Sequence, residues 1–338
     1  MEKRVSLKDI AGKSGVSIAT VSYVLNGQED EKRITKEVVE KVRKAAEELN
    51  YQPNQIARSL RKRSSSTIGM IVADIANPFF SQMARIVENE AAANGYTVIF
   101  GSSDEDAAKL EVLINSLLNR QVDGLIIVPA EGSEAQISTL VRRRIPLVLV
   151  DRYFPDINTC HVSLDNYQAT HEATRHLVGN SVTDITMIAY SNRLIHMRER
   201  IRGYREAMKA CGLTEKISVH EIGYWDDHIG ELEKILRKIQ SGGLGPKGII
   251  FATNALSVSG LFAIRNTCMK IPGDVSFIGF DGGDSFDLFD PPLTFVEQPL
   301  EALGKETVTV LMDLIKGSSK VTRVQLSPRL IIRGEKNC

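Results

Sequence analysis

The stretch LKDIAGKSGVSIATVSYVLNG, residues 7–27, decides how the amino-terminal part of this 338-residue chain folds. Ser6 stands before it, with Asp9 at capping-box distance, although that device ordinarily uses Glu or Gln. A helix starting at Leu7 buries Leu7, Ile10 and Ala11, and Gly15 ends it because glycine accepts the positive φ of a tight turn. Ser17 caps a second helix, Ile18 to about Leu25, with Val21, Val24 and Leu25 on its apolar stripe and Asn26-Gly27 as its stop. Helix, glycine-bearing turn, helix is the pattern that places the second helix in the major groove of DNA. A third helix, about Lys36 to Asn50 with Thr35 as its cap, supplies Val38, Val39, Val42, Ala45, Ala46 and Leu49 to close the core.

Charge separates this head from the rest of the chain. The protein holds 42 Lys+Arg and 42 Asp+Glu, so its formal net charge is zero. Residues 1–63, however, hold fourteen Lys/Arg and nine Asp/Glu, a net +5 balanced by −5 on the remainder. A basic head on an acidic body is the asymmetry of a nucleic-acid module joined to a second function. Ser64-Ser65-Ser66-Thr67 reads as the linker. Before it, Pro53 opens a helix too short and polar to stand alone. The expected division is 1–52 for the helix-turn-helix domain, 53–66 for hinge helix and linker, and 67–338 for the body.

In the body, short apolar runs alternate with helix-patterned segments. The strands are Ile68–Val72, Thr97–Phe100, Gly124–Val128 and Leu147–Val150, then Ile185–Ala189, Ser218–Ile222, Gly248–Ala252 and Val275–Gly279. Runs this short and apolar indicate parallel strands covered on both faces. The two series echo each other: Ile68–Val72 resembles Ile185–Ala189, Gly124–Val128 resembles Gly248–Ala252, and Val148-Leu149-Val150-Asp151 parallels Ile278-Gly279-Phe280-Asp281. The expected fold is an all-α head and an α/β body of two doubly wound parallel-sheet subdomains. Ligands of such sheets bind beyond the carboxyl ends of the strands. Asp74, Pro129, Asp151, Asn254 and Asp281 stand there.

Other classes are disfavoured. Cys160, Cys211, Cys268 and Cys338 are scattered, without metal-site or disulfide spacing. No phosphate-binding glycine motif sits at a strand–helix junction, and the histidines form no catalytic or metal pattern. No catalytic residue, cofactor or metal is therefore expected. Residues 1–15 have no apolar signal core, and no run of 18 apolar residues occurs, so a cytoplasmic protein that does not engage a membrane is expected.

The stretch 7–27, YQPNQIARSLR (51–61) and TIGMIVADIANPFF (67–80) resemble the lactose/galactose-repressor (LacI-type) family of bacterial transcription regulators. The resemblance covers essentially the whole chain. It implies a body similar to periplasmic sugar-binding proteins, with one subdomain from about 67–165 plus 297–323 and the other from 166–296 plus 324–338. It places Ile18, Ala19 and Tyr23 at base-reading positions, Tyr23 where many members carry Arg. Ile and Ala offer only apolar contacts, such as with a thymine methyl. Ser17, Thr20 and Ser22 are suited to phosphate. Asn54, Ala57, Arg58 and Leu60 would belong to a hinge helix that pairs with its twin in the minor groove, with Leu60 as the wedge. A homodimer on a palindromic double-stranded operator is the assembly this implies.

For the effector, the resemblance points to Asn77, Phe79, Asp151, Arg152, Arg198, Trp225, Asn254, Asp281 and Gln298. Phe80, beside Phe79 at a helix start, offers a second aromatic face. Aromatic faces with fork-shaped polar groups suit the C–H faces and hydroxyls of a neutral polyol ring. A purine fits less well, because the carboxylates outnumber what one base needs. A phosphorylated sugar stays open, since Arg193, His196 and Arg200 lie nearby. Two positions depart from the family pattern: Ala255 stands where Asp is frequent, and Ser181-Val182 where a glycine-histidine pair is frequent.

Overall fold

The computed structural model describes residues 5–51, 64–242 and 246–333. The chain divides into two compact units, Met1–Ser65 and Ser66–Cys338.

In the first unit, α1 (Leu7–Ser14), α2 (Ile18–Leu25) and α3 (Lys36–Glu48) enclose Ile10, Ala11, Val21, Val24, Val39, Val42, Ala45 and Ala46. The Asp9 carboxylate accepts the Ser6 N–H at 2.8 Å, so Asp performs the box function. Gly15 takes φ +70° and its N–H closes α1 on Ala11 O. Ser17 Oγ accepts the Thr20 N–H at 3.1 Å and caps α2. Thr35 precedes α3, but its hydroxyl makes no cap bond.

The second unit is built twice over. Its first half runs β1 (Thr67–Val72), α4 (Pro78–Ala93), β2 (Thr97–Ser102), α5 (Ala107–Asn119), β3 (Gly124–Ile127), α6 (Glu134–Arg142), β4 (Leu147–Asp151) and β5 (Cys160–Leu164). Its second half runs α7 (Asn166–Gly179), β6 (Asp184–Tyr190), α8 (Ile195–Ala210), β7 (Ser218–Ile222), α9 (His228–Ser241), β8 (Lys247–Phe251), α10 (Asn254–Asn266), β9 (Ser276–Phe280), α11 (Asp284–Asp287) and β10 (Thr294–Glu297). The chain then adds α12 (Leu300–Ile315), β11 (Arg323–Leu326) and β12 (Arg329–Ile331).

One sheet has the order β2-β1-β3-β4-β5-β11, the other β7-β6-β8-β9-β10-β12. All pairs are parallel except β10–β12. The chain crosses between sheets after β5, after β10 and after β11. The last crossing thus falls beyond Leu326, not at the expected 323/324 boundary. In the first sheet, strand alternation sends Met70 and Val72 toward α4 and α12, while Ile71 packs with Leu110, Ile114 and Leu117 of α5.

All eight expected strands form. The structure adds β5, β10, β11 and β12 and the helices α6, α11 and α12, which the sequence pattern does not announce. β5 is fully buried yet carries His161 and Ser163, and β11 and β12 are short strands at sheet edges, so none presents an apolar run. α8 begins at Ile195, ahead of the helix start that the sequence pattern places at Arg200.

α8 lies close on α7 because Gly203 has no side chain: a Cβ there would collide with Tyr167 O and Thr170 Oγ1. Thr170 Oγ1 donates to Arg200 O at 2.5 Å across the same contact. Gly203→Ala should therefore cost about 1–3 kcal/mol by overpacking. Gly179→Ala, at the end of α7 with open space about its Cβ position, should be neutral or slightly stabilising. Urea unfolding of both variants checks this, and equal midpoints would contradict the close-approach role of Gly203.

Candidate effector cleft and DNA-reading helix

Parallel strands in both sheets bring their carboxyl ends to one cleft. Phe79 and Phe80 form its aromatic wall in the first lobe, and Tyr190 and Tyr224 in the second. Asn77 caps α4 by accepting the Phe79 N–H at 3.0 Å, which fixes both phenylalanines at the helix mouth. Their rings meet edge to face at 5.0 Å.

The polar set rests on two aspartates at matching points of the repeat. Asp151 ends β4 with φ +69°, and Asp281 comes directly after β9 with φ +50°. Left-handed backbone is uncommon away from glycine and costs energy, so it marks constrained positions. Asp281 Oδ2 accepts from Gln298 Nε2 at 2.8 Å, and its carbonyl accepts from Asn254 Nδ2. Burial pushes the Asp281 carboxyl up to about 6, against the opposing pull of Arg200 and Gln298.

Two buried guanidinium groups face these carboxylates. Arg152 is held by Glu105 through two parallel bonds of 2.7 and 2.9 Å, and its Nε reaches Asp151 at 3.2 Å. Burial disfavours its charge, but Glu105 and Asp151 more than offset this and hold its pKa above the ordinary value. Arg200 Nε donates to Asn166 Oδ1 at 2.7 Å, its Nη1 donates to Ala252 O, and its plane lies 3.9 Å from the Phe280 ring centroid. Burial draws the pKa of Arg200 down. Burial, then Arg152 and Arg200, hold His196 well below its usual value, so its imidazole is neutral.

Two buried polar atoms that line this cleft, His196 Nδ1 and Gln298 Oε1, have no hydrogen-bond partner among the described residues, and Tyr190 Oη is buried there with Thr253 beside it. A native fold rarely leaves such groups unpaired unless something else satisfies them. Burial raises the Tyr190 phenol to about 12, so it stays protonated and able to donate.

Eight of the ten expected effector residues line the cleft: Asn77, Phe79, Phe80, Asp151, Arg152, Asn254, Asp281 and Gln298. Arg198 does not. Because α8 starts at Ile195, Arg198 falls on its exposed side, and Arg200, two residues and about 200° further round, faces the cleft. Trp225 is also outside; it is 74% exposed, and Tyr224 beside it enters instead, with the two rings edge to face at 5.0 Å. Glu105, Tyr190, Asn192, Tyr224 and Thr253 join the lining without being expected there, and His196 and Arg200 move from neighbours to lining residues. One signal for them exists in the sequence: Tyr190 ends β6, Thr253 stands just after β8, and His196 and Arg200 share a helix face at i, i+4.

In the first unit, α2 turns Val21 and Val24 inward and leaves Ile18 (48% exposed) and Ala19 on the surface. Ile18 is thus not a core residue. Ser17 is exposed but engaged, since its Oγ caps α2 and lies 2.9 Å from Thr20 Oγ1. Thr20, Ser22 and Tyr23 are half-buried, with the Lys32 ammonium 5.6 Å from the Tyr23 ring centroid. Asn54, Ala57, Arg58 and Leu60 lie outside the described residues. Among the described residues, no helix is long and apolar enough to cross a membrane, and no His/Cys/Asp/Glu group is placed to hold a metal ion.

A three-helix head that leaves Ile18 and Ala19 exposed on its second helix, joined to a two-lobed α/β body with a polar cleft, defines a ligand-responsive DNA-binding regulator. The description "Periplasmic binding proteins and sugar binding domain of LacI family" matches residues 65–335, and "Bacterial regulatory proteins, lacI family" matches residues 6–54. The chain belongs to the LacI family, whose members are regulatory proteins rather than enzymes. It is 31% identical to the ribose operon repressor of Halalkalibacterium halodurans, over 97% of this chain and 96% of that one. It is also 31% identical to the transcriptional repressor PurR of Aliivibrio fischeri, over 97% of each chain. The fold matches that of the lac repressor dimer bound to operator and the anti-inducer ONPF, with TM-score 0.85, 24% identity and 98% of each chain covered.

The raised pKa of Asp281 has a measurable consequence. Between about pH 4 and 6 the native state keeps a proton that the unfolded chain has released, so this group loses stability as pH rises through that window. Asp281→Asn removes the loss. Its melting temperature should gain on that of the unmodified protein from pH 4 to pH 7, and a constant difference would mean that Asp281 titrates normally.

Proposed function

We propose that this protein is a cytoplasmic, dimeric transcriptional repressor whose operator affinity is set by a sugar or sugar derivative bound in the cleft. The single observation that carries the effector assignment is the pair of buried polar atoms without a partner among the described residues, His196 Nδ1 and Gln298 Oε1, set among aromatic rings and aspartates. Hydroxyls can donate and accept at once and so suit such a mixture, while the rings cover C–H faces. The ribose operon repressor is a relative consistent with a sugar. PurR is an equally similar relative, but a planar base offers fewer donors than Asp151 and Asp281 can accept.

In this reading Ile18 and Ala19 read base edges, Tyr23 adds one hydrogen bond, Ser17, Thr20 and Ser22 contact phosphates, and Asn54, Ala57, Arg58 and Leu60 act from the hinge segment. Two copies, paired mainly through the first lobe along α4, would meet a palindromic site. The named dimer–operator complex of the lac repressor supports this assembly. The effector acts by preferring one arrangement of the lobes, while DNA prefers the other.

Two measurements test this. Fluorescence anisotropy on a palindromic operator should give affinity that falls steeply with salt. Ile18→Ala should weaken operator binding by about 1–3 kcal/mol and leave nonspecific binding unchanged. In a thermal-shift screen of free sugars and nucleosides, the stabilising sugar should lose its effect in Arg200→Lys, whose ammonium cannot hold Asn166, Ala252 O and the Phe280 face together as the planar guanidinium does, and keep it in Arg198→Ala. Operator binding without ligand should survive in both. Stabilisation by a nucleobase and by no sugar would overturn the polyol assignment.

A further inference from the structure

We infer that Glu105 sets the charge the cleft accepts, restricting its ligand to a non-anionic, hydroxyl-bearing compound and excluding the phosphorylated counterpart. The inference rests on the reading that this cleft holds the effector.

An anion entering the cleft would need a free cationic fork, and neither arginine offers one. Glu105 fills the fork of Arg152, whose Nε is turned to Asp151. Arg200 is turned to Asn166 and the Ala252 carbonyl, with Phe280 against its face. Arg193, the third cation near enough in sequence to serve a phosphate, is exposed and does not line the cleft; its backbone N–H donates to Glu131 at 2.9 Å. His196 is neutral. The lining therefore carries three carboxylates, Glu105, Asp151 and Asp281, against two guanidinium groups, a formal charge of −1. In a partly desolvated site, a phosphate dianion meets repulsion it cannot screen.

The free hydrogen-bonding capacity has the same bias. Gln298 Oε1 can only accept, and the aspartates accept when ionised. These groups require ligand donors, which hydroxyls supply and a phosphate dianion does not.

The placement of Glu105 is itself costly to the chain. Asp104 and Glu105 are consecutive left-handed residues, with φ +51° and +56°. They are held there by the Glu105 N–H on Ala73 O at 3.2 Å and by Ser102 Oγ donating to Asp104 at 2.6 Å. Strain kept at a ligand cleft marks a constrained functional position. Without Glu105, the two Nη groups of Arg152 would face the cleft with only its Nε held by Asp151, and the lining would carry a formal charge of zero, a site open to phosphate.

The experiment uses the full chain at pH 7.5 and matched pairs: D-ribose with D-ribose 5-phosphate, D-glucose with D-glucose 6-phosphate, and adenosine with adenosine 5′-monophosphate. Calorimetric titration should show the uncharged member of any binding pair at least 100-fold tighter. Glu105→Gln should narrow that ratio at least tenfold, and Glu105→Asp should restore much of it. If only adenosine binds and its monophosphate does not, the charge rule stands and the sugar reading fails. A phosphorylated member that binds as tightly as its free partner overturns the charge rule. Inorganic phosphate serves as a probe that needs no identified ligand. At constant ionic strength it should raise the melting temperature of Glu105→Gln above any rise in the unmodified protein, and Glu105→Gln/Arg152→Gln should lose the gain. Equal shifts in all three proteins overturn the proposal.

Discussion

Parallel strands cannot be joined by tight turns, and everything about the cleft derives from that constraint. Each return to the start of the next strand needs a crossover, here mostly a helix, so every loop at the carboxyl end of a sheet opens on the same edge. The orders β2-β1-β3-β4-β5 and β7-β6-β8-β9-β10 reverse at β1 and β6, leaving a crevice at that point in each sheet. Asn77, Glu105, Asp151, Thr253 and Asp281 all lie at or just beyond strand ends. Chemistry that is scattered over more than 200 residues of sequence meets because the topology allows those ends no other edge.

Filling that edge with charge is unfavourable for stability. Buried ion pairs seldom recover the full cost of desolvation, and an apolar replacement of similar shape often serves stability better. The raised carboxyl of Asp281 and the lowered pKa of Arg200 are two signs of this cost, both caused first by burial. The left-handed backbone at Asp151 and Asp281 adds to it. Contacts across the cleft are comparatively few: Arg193 N–H on Glu131, the long 3.5 Å approach of Tyr224 Oη to Asp74, and Leu194 packed into the core of the first lobe. A ligand that satisfies His196 and Gln298 while resting on Phe79 and Phe80 would bridge both lobes, and can shift their arrangement only by its differential affinity for it.

Much of this architecture is legible in the sequence wherever one physical signal dominates. The eight apolar strands are legible because both their faces are covered, and the helix-turn-helix because Gly15 and Ser17 have local conformational reasons to be where they are. β5 is hidden because His161 and Ser163 are buried polar residues that only tertiary context explains. The resemblance points to Arg198, whereas Arg200, two residues and about 200° further round the same helix, is the arginine that faces the cleft. Trp225 draws attention as the lone tryptophan, yet Tyr224 is the ring that enters. Glu105 lies just beyond β2, but its role depends on Arg152, 47 positions away in the chain, which local pattern does not show.

The zero net charge also resolves into its causes. The head carries +5 and the remainder −5, and each sign matches a different ligand. A polyanion is drawn to the head over roughly a Debye length, about 8 Å at physiological salt, and Ile18 and Ala19 are exposed on the second helix of that head. The acidic body gives nucleic acid no such attraction. Its own site continues the same sign inward, to a cleft where carboxylates outnumber guanidinium groups by one. The electrostatics that keep the polyanion on the head also keep small anions out of the cleft, so the two binding functions do not compete for each other's ligands.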